Sequence, residues 1–184
     1  MKIDIENFRF INKPDVPRFK AVTDIIIEDS ILVRDVKLIS MTGDDDKLFI
    51  AMPSKKMSTG EIGDFCHPTV VECREKIAKV VIDYYKTGKY TAGFKEGIEV
   101  TDITMKKLEL DNNIRAVLSI HLNNNFVIHD ITLREKDSIE GMRRFELHMP
   151  CRKINENVVS VVYLMNENIR NEIFNNVIEK YKGM

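Results

Sequence analysis

The sequence predicts an α+β fold made of two tandem copies of one unit, packed against each other as a pseudo-twofold pair within a single chain. Three observations carry this reading. Sliding the chain on itself by 95 residues aligns "KAVTDIIIEDSILVRDVKL" (20–38) with "RAVLSIHLNNNFVIHDITL" (115–133) without a gap, with identities at Ala21/Ala116, Val22/Val117, Ile25/Ile120, Asp35/Asp130 and Leu38/Leu133. Much of each copy alternates apolar with polar residues, the period of a half-buried strand. Each copy then closes on an apolar stripe at helical spacing, Cys73, Ile77, Val80, Val81 and Tyr84 in the first and Ile169, Ile173, Val177 and Tyr181 in the second. Each unit is therefore expected to be a mostly antiparallel sheet with one C-terminal helix.

The elements follow in the same order in both copies. An alternating strand opens each, at 3–11 and 98–108, and a polar loop follows, containing Pro14 and Pro17 in the first copy. Two β-rich runs then flank a short polar turn, "EDS" or "NNN", which reads as a hairpin. A further strand ends at Met52-Pro53 or Met149-Pro150, because proline offers the ladder no donor. The register shifts by two at "AMPSKK" against "HMPCRK" and settles one lower at "CREKIAKVVIDYYK" against "IRNEIFNNVIEKYK", as duplicated units do at their loops. Thr69 with Glu72 has the form of a capping box for the first helix. The units are placed at 1–90 and 98–184, with 91–97 a glycine-containing, flexible join. Units of this size bury a modest share of their surface, so packing one on the other is favourable and an intramolecular pseudo-dimer is expected.

Composition narrows the function classes. The formal net charge is −1, with 16 basic against 15 acidic residues through Lys95 and 12 against 14 after it. Neither half is basic, so contact with a polyanion would have to come from local clusters of cations. The three cysteines, Cys66, Cys73 and Cys151, have no CxxC spacing and cannot all pair within one chain, which fits a reducing cytoplasm. No run approaches the ~18 apolar residues of a membrane span, and "MKIDIENFRF" lacks the apolar core of a signal peptide. A soluble, cytoplasmic protein is expected.

The segments "ILVRDVKL", "AMPSKK…GEIGDFCHP…CREKI" and "IEVTDITMKKL…IRAVLSIHLNNNFVIHDITL" resemble the SpoVG family, the stage V sporulation or septation regulators of bacteria. The second copy carries the family's opening better, and the first its "AMPSK", "HP" and helix segments. Together they cover nearly the whole chain. The resemblance implies a small α+β fold that pairs as a dimer, and binding to DNA first and RNA second, with effects on sporulation, septation and gene expression. It implies no enzyme and no cofactor. Residue by residue, Ala51, Met52, Pro53, Ser54 and Lys55 match "AMPSK", His67 and Pro68 match "HP", and Arg74, Lys76 and Ile77 match the helix turn. The second copy departs: Cys151 replaces the serine, "VVSVVYL" replaces the glycine-rich loop and "HP", and Glu172 stands where the lysine would be.

The cations that stand at these positions are the candidate site. Lys55 and Lys56, with Arg152 and Lys153 in the second copy, follow a strand-ending proline in what reads as a loop, where they would meet phosphate or simply solvent. Arg74, Lys76 and Lys79 lie in the first turns of the first helix, opposite its apolar stripe, and Arg170 is the weaker counterpart in the second. Cations early in a helix oppose its macrodipole, a cost that a polyanion would relieve. The bland alternative is an ordinary polar face, with Glu75 and Lys79 an i,i+4 pair worth about 0.3 kcal/mol.

Two constellations that look catalytic read as structural. Cys66-His67, with Cys73 six residues on, lacks a second pair of ligands for zinc, so His67 is read as locking its loop through a hydrogen bond to the backbone. His129 and Asp130 are neighbours on a strand and would point to opposite faces, so Asp130 and its equivalent Asp35 are expected to pair across strands or meet a backbone amide. Neither a phosphate loop nor HExxH nor GxSxG is present. The leading expectation is a nucleic-acid-binding regulator, and the second is a protein-interaction module of the same fold that has lost that activity. Hydrolase chemistry at Cys66 and His67 is the third. A further homodimer of the whole chain, and exchange of a strand or helix between units, stay open at this point.

Overall fold

The computed structural model describes residues 1–13, 15–43, 45, 47–109, 113–139 and 142–184, with the backbone alone at 137–139, 142 and 143. Pro14, one of the two prolines of the first polar loop, lies outside the described residues. Unit 1 contains β1 (Ile3–Phe10), β2 (Phe19–Ile27), β3 (Ile31–Ser40), β4 (Leu48–Ala51), β5 (Ser54–Lys56), β6 (Ile62–Asp64), β7 (Cys66–Pro68) and α1 (Val71–Thr87). Unit 2 repeats the order with β8 (Val100–Lys107), β9 (Ile114–Leu122), β10 (Phe126–Ile139), β11 (Met142–His148), β12 (Cys151–Ile154), β13 (Asn157–Ser160), β14 (Val162–Leu164) and α2 (Glu167–Gly183).

Each unit lends a strand to the other. In unit 1, β2 pairs with β1 and β3, and residues 37–40 of β3 take β4 on the remaining edge. The rest of that edge, residues 31–33, takes β14 from unit 2. Unit 2 is built identically: β9 lies between β8 and β10, β11 pairs with the later half of β10, and β7 from unit 1 pairs with Phe126, Val127 and Ile128. Cys66 and Pro68 of β7 and Val162 and Leu164 of β14 are buried, so each lent strand inserts two apolar anchors. Proline is tolerated in β7 because that strand is an edge. The buried side chains of both units, Ile3, Val33, Ile77, Ile120, Val162 and Ile173 among them, form one continuous core. The exchange that the sequence left open is thus reciprocal, and it makes the pair of units one body.

The central hairpins show why the repeat persists in sequence. Both hairpins enclose three residues between paired strand ends, Ile27/Ile31 and Leu122/Phe126, and both place the first two at positive φ, Glu28 and Asp29 in one and Asn123 and Asn124 in the other. Both later strands carry a bulge, where Arg34 and Asp35 oppose one residue of β2, and His129 and Asp130 oppose one of β9. Asp35 and Asp130 take φ of 61° and 57°, a left-handed conformation that short polar side chains accept best.

Three local expectations are corrected. The join between units is anchored: the Ile3 N–H donates to Ala92 O at 2.7 Å, and the buried Glu28 carboxylate accepts from the N–H groups of Lys2, Glu96 and Gly97 at 2.5, 2.8 and 2.7 Å. Asn123, at the equivalent turn of unit 2, accepts from Glu99 N–H at 2.8 Å and donates to Gly97 O at 2.9 Å. Gly93 belongs here, since its φ is 87° and a Cβ would meet Met1 O at 2.7 Å. Thr69 does not cap α1, whose N-cap is Val70 with no side-chain bond. Thr69 instead continues the β7 ladder onto Asn125 O at 2.8 Å, so strand pairing outcompetes the cap. Helix α2 is capped by Asn166, which accepts from Asn168 and Ile169 N–H at 2.9 and 3.3 Å. Finally, Lys79 pairs with Asp83 at 2.8 Å rather than with Glu75.

Candidate nucleic-acid interface

The segment expected as a glycine-rich loop is a β-hairpin. Ser54, Lys55 and Lys56 pair with Asp64, Gly63 and Ile62, and Gly60, at φ 90°, closes the turn by donating to Met57 O at 3.0 Å. In unit 2, β12 and β13 make the corresponding hairpin around Asn155, whose φ is 55°. Successive strand residues point to opposite faces, so each hairpin divides its two cations. Lys55 turns inward and Lys56 outward; Arg152 and Lys153 repeat the division.

The inward cations are held by the opposite unit. Lys55 Nζ lies 2.6 Å from Asp130 Oδ2, and also 5.7 Å from the centre of the Phe65 ring. Arg152 pairs with Asp35, which Arg9 approaches at 3.9 Å. Both carboxylates are the left-handed bulge aspartates, so the bulges aim one acid from each unit at the other unit's hairpin. The expectation that Asp35 and Asp130 pair across strands holds in this form. What the sequence reading did not anticipate is that the partners are two of its own candidate cations. The identity Asp35/Asp130 in the repeat was the available signal.

The remaining candidates divide as well. Among the described residues, Lys56, Lys153, Arg74 and Lys76 are exposed and have no ion pair. Lys76 and Lys79 border a hollow with Met1 and the Thr91–Ala92 part of the join. Lys79 is tied to Asp83, and Arg170 donates to Leu164 O at 2.7 Å and Tyr163 Oη at 3.3 Å. Three of the four unpaired cations therefore belong to unit 1 and one to unit 2.

The Cys-His region is structural in a different way from that expected. Among the described residues the His67 imidazole has no hydrogen-bond partner: its Nδ1 is buried and unmatched, and the loop is held by β7 pairing with β10, together with a 2.8 Å bond from His129 N–H to Phe65 O. The His67 and His129 rings stand 5.1 Å apart across the seam between units. His129 Nδ1 is 2.8 Å from Ser119 Oγ, and burial, reinforced by His67, holds its pKa below the ordinary 6.5. Cys66 is fully buried, which pushes its thiol far above the usual range, and Cys73 is pushed up to about 11. Neither supplies the thiolate that nucleophilic chemistry needs.

Comparison with known proteins accounts for the duplicated architecture. A family model for SpoVG matches residues 1–87 and again residues 98–183. A protein of Lachnospira eligens named septation protein SpoVG is 40% identical over 73 residues, which are 40% of this chain and 80% of that relative. A relative of the same name from Clostridium novyi is 38% identical over 85 residues, 46% of this chain and 82% of its own length. Another from Caldanaerobacter subterraneus is 35% identical over 96 residues, which are 52% of this chain and 100% of that relative. Each relative thus corresponds to about half of this molecule, and the chain belongs to the SpoVG family as two family units joined in one polypeptide.

Proposed function

We propose that the protein is a cytoplasmic nucleic-acid-binding regulator, with DNA the first expected ligand and RNA the second, acting in septation or sporulation. The observation that carries the reading is the set of four unpaired, exposed cations, Lys56, Arg74, Lys76 and Lys153, in a chain whose net charge is only −1. None of the four makes an ion pair with another described residue, whereas Lys55, Lys79 and Arg152 among the other candidates each hold a carboxylate. Two sit on hairpins and two open a helix, positions from which side chains reach phosphates without distorting the core. The inward cations, Lys55 and Arg152, brace the hairpins against the opposite unit and so hold Lys56 and Lys153 in position. Contact to the backbone of a nucleic acid should dominate, so affinity is expected to be strongly salt-dependent and weakly sequence-dependent.

The test is fluorescence anisotropy with duplex DNA and single-stranded RNA at two salt concentrations. Salt-sensitive binding that Arg74→Glu/Lys76→Glu abolishes supports the proposal, and salt-independent affinity or an unaffected variant contradicts it. A protein-interaction module is the second reading, and one observation favours it: exposed Glu172 of α2 stands at the register of Lys76, so the second helix offers acid where the first offers base. Charge reversal in α1 would then leave partner binding intact.

A further inference from the structure

The outer face of the unit 1 sheet differs from its unit 2 counterpart in a way the shared fold does not require. Phe19 pairs with Ile39, and Ile39 with Phe49, so three large apolar side chains stand in one row across β2, β3 and β4. None of the three packs against the core, and Phe49 is 42% exposed. The neighbouring row, Ala21, Leu38 and Ile50, is buried and faces the other way. Val16 and Pro17 fold beside Phe19 and Ile39 and leave an apolar groove of about 530 Å³. Met41 continues the apolar strip one pleat beyond Ile39 and is 61% exposed. In unit 2 the same register holds Ile114, Arg134 and Glu146, with Glu146 paired to Lys136 at 3.0 Å and to His148 at 2.9 Å. One fold thus accepts either character at this row, and the apolar version exposes surface that a solitary soluble chain would be better without.

We infer that this face is the contact through which two copies of the chain dimerise, sheet against sheet about a twofold axis. The chain itself indicates the occupant. Its other outer face would bring Arg134 and the Lys136–Glu146–His148 cluster onto apolar side chains, at a desolvation cost that no partner there repays. The matching surface is the same row on a second copy, and because each chain has one such row, the contact is isologous and closes at two. The charges at the groove fit that symmetry. Asp15, Arg18 and Lys37 line it, and none makes an ion pair with another described residue of its own copy. A twofold axis that runs between Asp15 and the two cations would bring the carboxylate of each copy toward the cations of the other. Helix α1 packs on β1 and β4 from the buried side, so Arg74 and Lys76 stay accessible in such a dimer. The inference is independent of nucleic-acid binding.

Sedimentation equilibrium from low-micromolar to near-millimolar protein tests it. Wild type should pass from the mass of one chain to that of two. The variant Ile39→Arg/Phe49→Glu places on unit 1 the residues that unit 2 carries at the same register, so the fold should persist by circular dichroism while dimer affinity falls by about tenfold or more. Should that variant unfold, Met41→Glu at its more exposed position asks the same question, and the same loss is expected. The reverse exchange, Arg134→Ile/Glu146→Phe, gives the chain a second apolar row and should extend the dimer into larger species. A wild type that remains one chain throughout, or a folded variant that dimerises as wild type does, overturns the inference.

Discussion

Unit 1 and unit 2 share element order, hairpin turns, bulges and the exchanged strand, yet differ at the helix face and at the outer row of the sheet. Of the candidate cations that make no ion pair among the described residues, unit 1 holds three, beside an apolar outer row; unit 2 holds one, beside an acid at the register of Lys76 and an ionic outer row. What stayed the same is what each unit needs from the other: β7 and β14 complete the opposite sheets, and Asp130 and Asp35 hold the opposite hairpins. Duplication thus left one copy's surface free to diverge while the seam, which both copies build, stayed constrained. Each unit braces the other, and on the proposed reading unit 1 supplies the larger share of the contacts.

The seam should dominate stability. Phe126 and Ile31 occupy equivalent positions, each at the start of the strand that receives a lent β-strand, and both are at most 2% exposed. Phe126→Ala should cost about 4 kcal/mol and Ile31→Ala about 3 kcal/mol, each lowering a single urea transition because the core is continuous. Two separate transitions would break the comparison by showing that the units fold independently. Next in size is the anchoring of the join. Glu28→Ala removes a buried carboxylate that three N–H groups share, and about 3 kcal/mol is expected, against about 1 kcal/mol for Asn123→Ala. Thermal melts of the two variants would check the order.

Smaller effects sharpen the picture at the hairpins. Lys55 and Asp130 are 37% and 34% exposed in their side chains, so a double-mutant cycle with Lys55→Ala and Asp130→Asn should give a coupling of only about 0.5–1 kcal/mol. A coupling near zero would mean that the hairpins are not braced across the seam. The pH dependence comes last. Burial and His67 depress the pKa of His129 in the folded state, so below about pH 6.5 the unfolded chain takes up the proton first and stability falls as pH drops through the folded value. His129→Gln should flatten that acid limb in urea titrations at stepped pH, whereas Arg34, the unit 1 equivalent, supplies no such limb.

The repeat made the fold legible: the 95-residue offset, the stripes at Ile77 and Ile173, and the polar turns located nearly every long element. The short exchanged strands were not legible, because three residues such as Cys66–Pro68 have no period to read and their pairing is decided by a strand 60 residues away. Thr69 with Glu72 misled for a related reason, since a local capping pattern lost to a long-range ladder. The candidate cations were visible as residues, but their division into inward and outward was hidden until "SKK" proved to be a strand. Asp35 and Asp130 were marked by identity, while their partners depended on two bulges that no sequence pattern announces.

The salt dependence of DNA binding tests the asymmetry between the units most directly, measured for wild type, for Lys56→Gln/Arg74→Gln/Lys76→Gln in unit 1 and for Lys153→Gln in unit 2. With about −0.9 in the log-log slope per neutralised phosphate, four contacts give a wild-type slope of about −3.6, the unit 1 variant should lose about 2.7 of it and the unit 2 variant about 0.9. Equal losses from the two units, or a slope that none of these residues changes, would contradict the proposal that unit 1 supplies most of the contacts.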